Sequence, residues 1–483
     1  VQTLLRHPRL AFGAIIILMS VAWLLPVTPA LAASSNLPCD IFSSAGTPCV
    51  AAHSTVRALF GGYGGRLYQV RRVADGNTTD IGTLSTGGYA NAGAQDSFCS
   101  GTTCAITIIY DQTSNGNHLY ISGAGGNGGA DIGAMASQLK VTAGGNRVYG
   151  AYVAPGVGYR NLSARGTATN GQAEGMYMVA SGTHVNNGCC FDYGNTEQPL
   201  ANDTGNGHMD AVYFGNRCEF PPCSGSGPWI AADLENGLFQ GNGSNTGDQT
   251  VNANFVTAML ANNGQNTFNL STGNANSGSL TTQYNGSLPN GGFSGYTPMH
   301  QEGGIVMGVG GDNSNASAGS FFEGAMTSGY PSSSAQQSVQ SNIVGVGYSG
   351  DSRGTSGGTI TGYSGKCIDV SGDDTGGAGT VVQLWDCQSN AVDQHWVHNG
   401  DNSLNTLGRC LDINGNGTAP GTKVELWQCN NVGGQKWVQQ ANGSLLNPQS
   451  GLCLDDPSGN TNNGTILQIW TCNGNQAQSF HLN

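Results

Sequence analysis

The chain has 483 residues, more than one ordinary hydrophobic core organises, so at least two domains are expected. Its formal net charge is −13, yet only 9% of residues are charged; the acids are scattered and no basic stripe occurs, which argues against nucleic acid and anionic membrane surfaces as partners. Glycine supplies 78 residues, and Asn, Ser and Thr crowd the gaps between short β-branched or aromatic runs, the pattern of many strands joined by tight turns.

In chain order, Arg6 and Arg9 precede the apolar run "LAFGAIIILMSVAWLL", and "PVTPALA" follows with small residues at Ala30 and Ala32. This reads as a secretory signal over residues 1–32 and predicts an exported, extracellular protein with no membrane attachment after cleavage. The even count of 14 cysteines suits an oxidising destination. Their spacing is local: Cys39 with Cys49, Cys99 with Cys104, Cys218 with Cys223, Cys367 with Cys387, Cys410 with Cys429, and Cys453 with Cys472. Cys189 and Cys190 are adjacent; either they close a strained ring with each other or each pairs elsewhere, and every other cysteine already has a near partner. No clustered CxxC pairs or neighbouring histidines favour zinc.

Residues 34–348 contain runs such as "AITIIYD", "GMYMVASG", "AVYFG" and "GGIVMGVGG" between Gly/Asn/Ser turns, the signature of a sandwich or barrel. Short helices are expected around "VAAHSTVRALF" and "SSSAQQSVQSNI". Within "WIAADLENGLFQG", Asp233 and Glu235 stand two apart in an apolar run; on a strand they would share one face. His208 with Asp203 or Asp210 is a weaker metal-site possibility, and no metal or cofactor is expected. Residues 349–362, "SGDSRGTSGGTITG", read as a flexible linker.

Beyond it, "GKCIDV", "GRCLDI" and "GLCLDD" recur 43 residues apart, at Cys367, Cys410 and Cys453. Each unit continues to "VQLWDC", "VELWQC" or "LQIWTC" and closes with "QHW", "QKW" or "QSF". Over about 360–483 these signatures resemble the ricin-type β-trefoil lectins, carbohydrate-binding module family 13. The resemblance implies a sugar-binding domain at 363–483 with sites at Asp369, Gln383, Trp385, Asp393 and Gln394; at Asp412, Glu425 and Trp427; and at Asp455, Gln468 and Trp470. The polar position before the closing Gln is Gly434 in the second unit and Ala477 in the third, so the first site ranks strongest. Trp396, Trp437 and Phe480 read as core.

A second resemblance rests on "CDIFSSAGTPCVAAHSTVRALF", "ITIIYDQTSNGNHL", "GCCFDYGN", "DTGNGHMDAVYFG", "GPWIAADLENGLF" and "GVGGDNSNASAGSFFEGAMTSGYP", in order across 36–348. Together they look like the catalytic domain of glycoside hydrolase family 54, the α-L-arabinofuranosidases. The fold class implied is all-β, a β-sandwich catalytic domain followed by a C-terminal β-trefoil. The function implied is removal of terminal arabinofuranosyl groups from arabinan or arabinoxylan of the plant cell wall, with retention, by a monomer that needs no cofactor. The resemblance assigns Glu235 as nucleophile and Asp312 as acid/base, which the residues alone do not separate from Glu302 or Glu323. It also assigns Asp233, Asn236 and Gly311 to the sugar and the Cys189–Cys190 disulfide to the pocket wall. Phe220 stands where better-known members carry Trp; it can cover a sugar face but has no indole N–H to donate. β-Xylosidase or dual activity, and a non-catalytic lectin, are the alternatives.

Overall fold

A computed structural model describes residues 1–3, 36–202, 207–243, 247–289, 297–372 and 376–483. Residues 4–32 of the expected signal segment and Asp203 lie outside the described residues. Among those described, no helix is long and apolar enough to cross a membrane.

The larger part of the fold is two antiparallel sheets. One runs 277–287, 267–274, 255–262, 174–181, 319–328, 146–153, 139–143, with 49–54 also paired to 319–328. The other has ten strands, 238–239, 229–233, 210–215, 192–196, 304–307, 159–161, 119–121, 104–109, 66–72 and 78–82. Central strands such as Glu174–Ser181 and Phe255–Asn262 are buried along their whole length, which is why they read as continuous apolar runs rather than alternating ones. Tyr177, Tyr193, Phe255 and Phe268 fill the space between.

Among the described residues three α-helices form, Pro38–Ser44, Ala92–Phe98 and Ser333–Val344. The last is the expected one, with Ser332 accepting a bond from the Ala335 amide as its N-cap. "VAAHSTVRALF" is not helical: Cys49–Ser54 is a strand, its β-branched and small residues buried beside Gly319–Ser328. Here sheet pairing overrides a helix-like composition.

Residues 349–362 are not a free linker. Ser349 pairs with Thr142, Ser352 is buried with its hydroxyl bonded to Asn254 and Ser181, and Gly358–Gly362 is already a strand pairing with Phe480–Leu482. Low apolar content misleads here because the segment is held by polar groups.

In the remaining strands the three units repeat one register. Cys367 faces Trp385, Cys410 faces Trp427 and Cys453 faces Trp470, so Asp369 lies opposite Gln383, Asp412 opposite Glu425 and Asp455 opposite Gln468. Trp396, Trp437 and Phe480 are buried, and the first two donate Nε1–H to the carbonyls of Ile368 and Leu411. All seven cysteine pairs are disulfides, including Cys189–Cys190, whose peptide bond is cis.

Candidate active site

The strand Trp229–Asp233 ends at Asp233, and Leu238–Phe239 returns beside it, with Asp233 opposite Leu238. Glu235 is therefore not on the strand. It and Asn236 are the central residues of the turn, both left-handed, with φ of +60° and +57°. Two left-handed central residues are what a type I′ hairpin turn requires, and Glu is a poor residue for it. Such strain clusters at functional sites. The turn is held from both sides: the Glu235 amide donates to Asp233 Oδ1 at 3.0 Å, and Glu235 Oε2 accepts from the His208 amide at 2.7 Å. The expectation of two acids on one strand face is thus corrected. Asp233 is the strand's last residue and ties down the turn that aims Glu235.

Asp312 arrives from the loop after Gly304–Met307. Its Oδ1 accepts from the Ser314 amide at 2.9 Å and the Ser314 hydroxyl at 2.7 Å. Arg160, buried, clamps the backbone just before it, donating to the carbonyls of Gly310 at 2.6 Å and Gly311 at 2.8 Å. A Cβ on Gly311 would fall onto the Glu197 carboxylate and the Met209 sulfur, so a larger residue there would have to push those side chains aside.

These residues meet in one cavity of about 370 Å³, lined by Glu235, Asp312, Asp233, Asn236, Gly311 and the Cys189–Cys190 disulfide, together with Glu197, Arg217, Glu219 and Asn127 among others. Phe220 is not in the lining; it stacks on Phe239 with ring centroids 4.8 Å apart, behind Gly237. Of the rival carboxylates, Glu323 is buried in an ion pair with Arg57 and accepts from Tyr348. Glu302 binds His208 Nδ1 at 2.7 Å, one layer outside the cavity. His208 is therefore engaged with Glu302, while Asp210 is buried against Asn262. Cys189, Cys190 and Asp233 come close enough to hold a metal, but the sulfurs are spent in the disulfide.

Sequence reasoning missed Asp192, Glu197 and Arg160. The alternation in the strand Asp192–Thr196 carried a signal, since Tyr193 packs in the core and so turns Asp192 toward the other face. Asp192 and Asp233 carboxyls approach each other, and two ionised carboxylates have no proton to share. Burial, then the Asp233 charge, pushes Asp192 well above the usual carboxylate range. Burial likewise raises Asp233 to about 7, helped by Glu197 and Asp312 and opposed by hydrogen bonds from the Glu235 amide and Asp192. The pair keeps a proton near neutrality.

In the trefoil units, Gln383 donates to Asp369 Oδ1 at 2.8 Å and Gln468 to Asp455 Oδ2 at 2.9 Å. Gln394 is fully buried, donating to Asp369 Oδ2 and accepting from the Gln388 amide, so it supports Asp369 rather than meeting a ligand directly. Asp393 is buried as well. The second unit differs, because Asp412 faces another acid; burial raises it to about 6, with Glu425 adding to the push and Gln435 opposing it. Trp427 and Trp470 are exposed and Trp385 half-exposed.

The family model for the α-L-arabinofuranosidase B catalytic domain matches residues 38–349, and that for the ricin-type β-trefoil lectin domain matches 356–480. The chain belongs to the α-L-arabinofuranosidase B catalytic family. It is 55% identical over 318 residues to the probable α-L-arabinofuranosidase B of Aspergillus fumigatus, an alignment covering 64% of this chain and 62% of that protein. It is 56% identical over 319 residues to an arabinofuranosidase/B-xylosidase of Trichoderma koningii, covering 64% and 63%. The chain thus spans less than two thirds of the length of these relatives. Among solved structures it is similar to a GH54 α-L-arabinofuranosidase soaked with a cyclic sulfate inhibitor and to an arabinofuranosidase complexed with arabinofuranosyl-α-1,2-xylobiose. Each is 37% identical with a TM-score of 0.66, over 92% of this chain and 99% of that one. The all-β sandwich-plus-trefoil architecture agrees with both family matches.

Proposed function

We propose that the chain is a secreted, retaining α-L-arabinofuranosidase acting on the non-reducing ends of arabinan or arabinoxylan, with residues 34–348 as the catalytic domain and 363–483 as a sugar-binding trefoil. The observation that carries this reading is the convergence of Glu235 and Asp312, 77 positions apart in sequence, on one cavity. In the first half-reaction a Glu235 carboxylate oxygen bonds to the anomeric carbon, the glycosidic C–O bond breaks, and the leaving oxygen takes the Asp312 proton. In the second, Asp312 takes a proton from water, whose oxygen displaces Glu235 and releases arabinose. Asp233 and Asn236 grip sugar hydroxyls, and the disulfide forms an apolar wall.

The test is Glu235→Gln against an aryl arabinofuranoside, with product configuration followed by NMR. Turnover falls by about three orders of magnitude or more, as removal of a nucleophile does; near-normal turnover, or an inverted first product from the unmodified enzyme, would sink the assignment. A second reading, added β-xylosidase activity, is favoured by the name of the Trichoderma koningii relative. Rates on aryl xylopyranoside and aryl arabinofuranoside decide between them.

A further inference from the structure

One contact between the trefoil's second unit and the sandwich leads back to Asp312. Arg409 is 2% exposed, and its Nη2 donates to the carbonyl of Pro155, while Nε and Nη1 have no hydrogen-bond partner. A buried guanidinium with a single bond is a costly way to glue two surfaces; apolar side chains would do it better. What it holds is more telling. The next residue, Gly156, donates its amide to the carbonyl of Asn315 at 2.7 Å and accepts from the Ile132 amide at 2.9 Å. Asn315 Nδ2 donates to Asp131 Oδ1 at 2.8 Å, Asn313 Nδ2 to the Gly129 carbonyl at 2.8 Å, and the Asn127 amide to the Asp312 carbonyl at 2.9 Å. Asp131, whose Oδ2 is buried without a partner, feels the charges of two arginines: Arg160, which clamps Gly310 and Gly311, and Arg409.

We infer that Arg409 is a positioning residue, through which the docked trefoil braces the 310–315 loop and so places the Asp312 carboxyl for proton transfer. Two neighbouring segments, 127–132 and 155–156, carry the bracing. This rests on the reading of Asp312 as acid/base. A proton donor displaced by a fraction of an ångström loses efficiency only where the leaving group needs the proton. The trefoil then acts on turnover of small soluble substrates, not only on attachment to polysaccharide.

The experiment uses the full chain and two substrates: 4-nitrophenyl arabinofuranoside, whose leaving group departs with little proton help, and an alkyl arabinofuranoside, whose leaving group needs it. For Arg409→Met, kcat/KM on the alkyl substrate falls roughly two- to thirtyfold, the range of coupling through such networks, while kcat/KM on the nitrophenyl substrate changes less than about twofold; kcat/KM is read because it reports the first half-reaction alone, whereas the second, in which Asp312 is the base, is common to both substrates. Asn315→Ala, which cuts the chain of contacts on the sandwich side, gives the same pattern. Arg353→Ala loosens the junction elsewhere, since Arg353 donates to the carbonyl of Asn390, and leaves the ratio of the two kcat/KM values unchanged. If Arg409→Met does not fold, Arg409→Gln keeps the interface polar and takes its place. Equal losses on both substrates, no loss, or the same signature in Arg353→Ala would overturn the inference. Asp312→Asn separates the two levels: if it lacks the alkyl-selective defect the acid/base reading fails, and if only the Arg409 variant lacks it this inference alone fails.

Discussion

Gly311 sets the closest tolerance in the site. Glu197 and Met209 occupy the space a methyl group would need, and the carbonyls of Gly310 and Gly311 are already committed to Arg160. Gly311→Ala is expected to push Glu197 or the loop aside at a cost of about 1–3 kcal/mol, the usual price of overpacking, and to lower kcat on an aryl arabinofuranoside at least tenfold. A variant with the parent's unfolding temperature and turnover would contradict this. Glycines are too common in this chain for that one to announce itself; its role is set by side chains from 197 and 209, distant in sequence. Glu235 is similar. Its residue type and neighbours are plain in "DLENG", whereas its left-handed backbone, which aims it, depends on Asp233 capping the turn and on the His208 amide.

At the scale of elements, the strands Asp192–Thr196 and Trp229–Asp233 flank Asp210–Gly215 and bring two carboxyls together in a buried layer. Asp233 has a folded pKa of about 7 against an ordinary 3.8, and Asp192 is pushed in the same direction, so the folded state holds protons that the unfolded chain has released. An acid with a raised folded pKa contributes stability below its unfolded value and loses that contribution as pH rises through the folded one. The unfolding temperature is therefore expected to fall between about pH 4 and 7, and Asp192→Asn to flatten that slope; calorimetry across this range checks both, and a pH-independent transition in the parent would refute the shared proton. The pair was illegible in sequence, because register decides it: Ala211 faces Asp233, and Asp192 faces Tyr213 one strand further on. The strand Cys49–Ser54 shows the same limit, since its composition suits a helix and only its partner strand makes it extended.

At the scale of the whole molecule, the trefoil units are alike in backbone register and unlike in polar pairing. Asp369 and Asp455 are each held by an opposite Gln, while Asp412 faces Glu425. Trp385→Ala is expected to weaken retention on insoluble arabinoxylan about tenfold, as loss of an aromatic sugar contact does, with aryl arabinofuranoside turnover unchanged; depletion assays on the polysaccharide measure it, and unaltered retention would move the main site to another unit. The docked segment 349–362 was misread as free because its anchors are hydroxyls and backbone groups, which composition does not reveal. By itself the sequence determined the all-β class, the 43-residue repeat and the local disulfides, since each is written in short-range spacing or in motifs intact over a few residues, while it offered Glu235 and Asp312 only through a family resemblance. Tertiary structure alone decided which other groups join them, Glu197, Asp192, Arg160 and the trefoil's Arg409. Burial, protonation and close approach are properties of segments that meet only when the sheets pair and the two parts pack together.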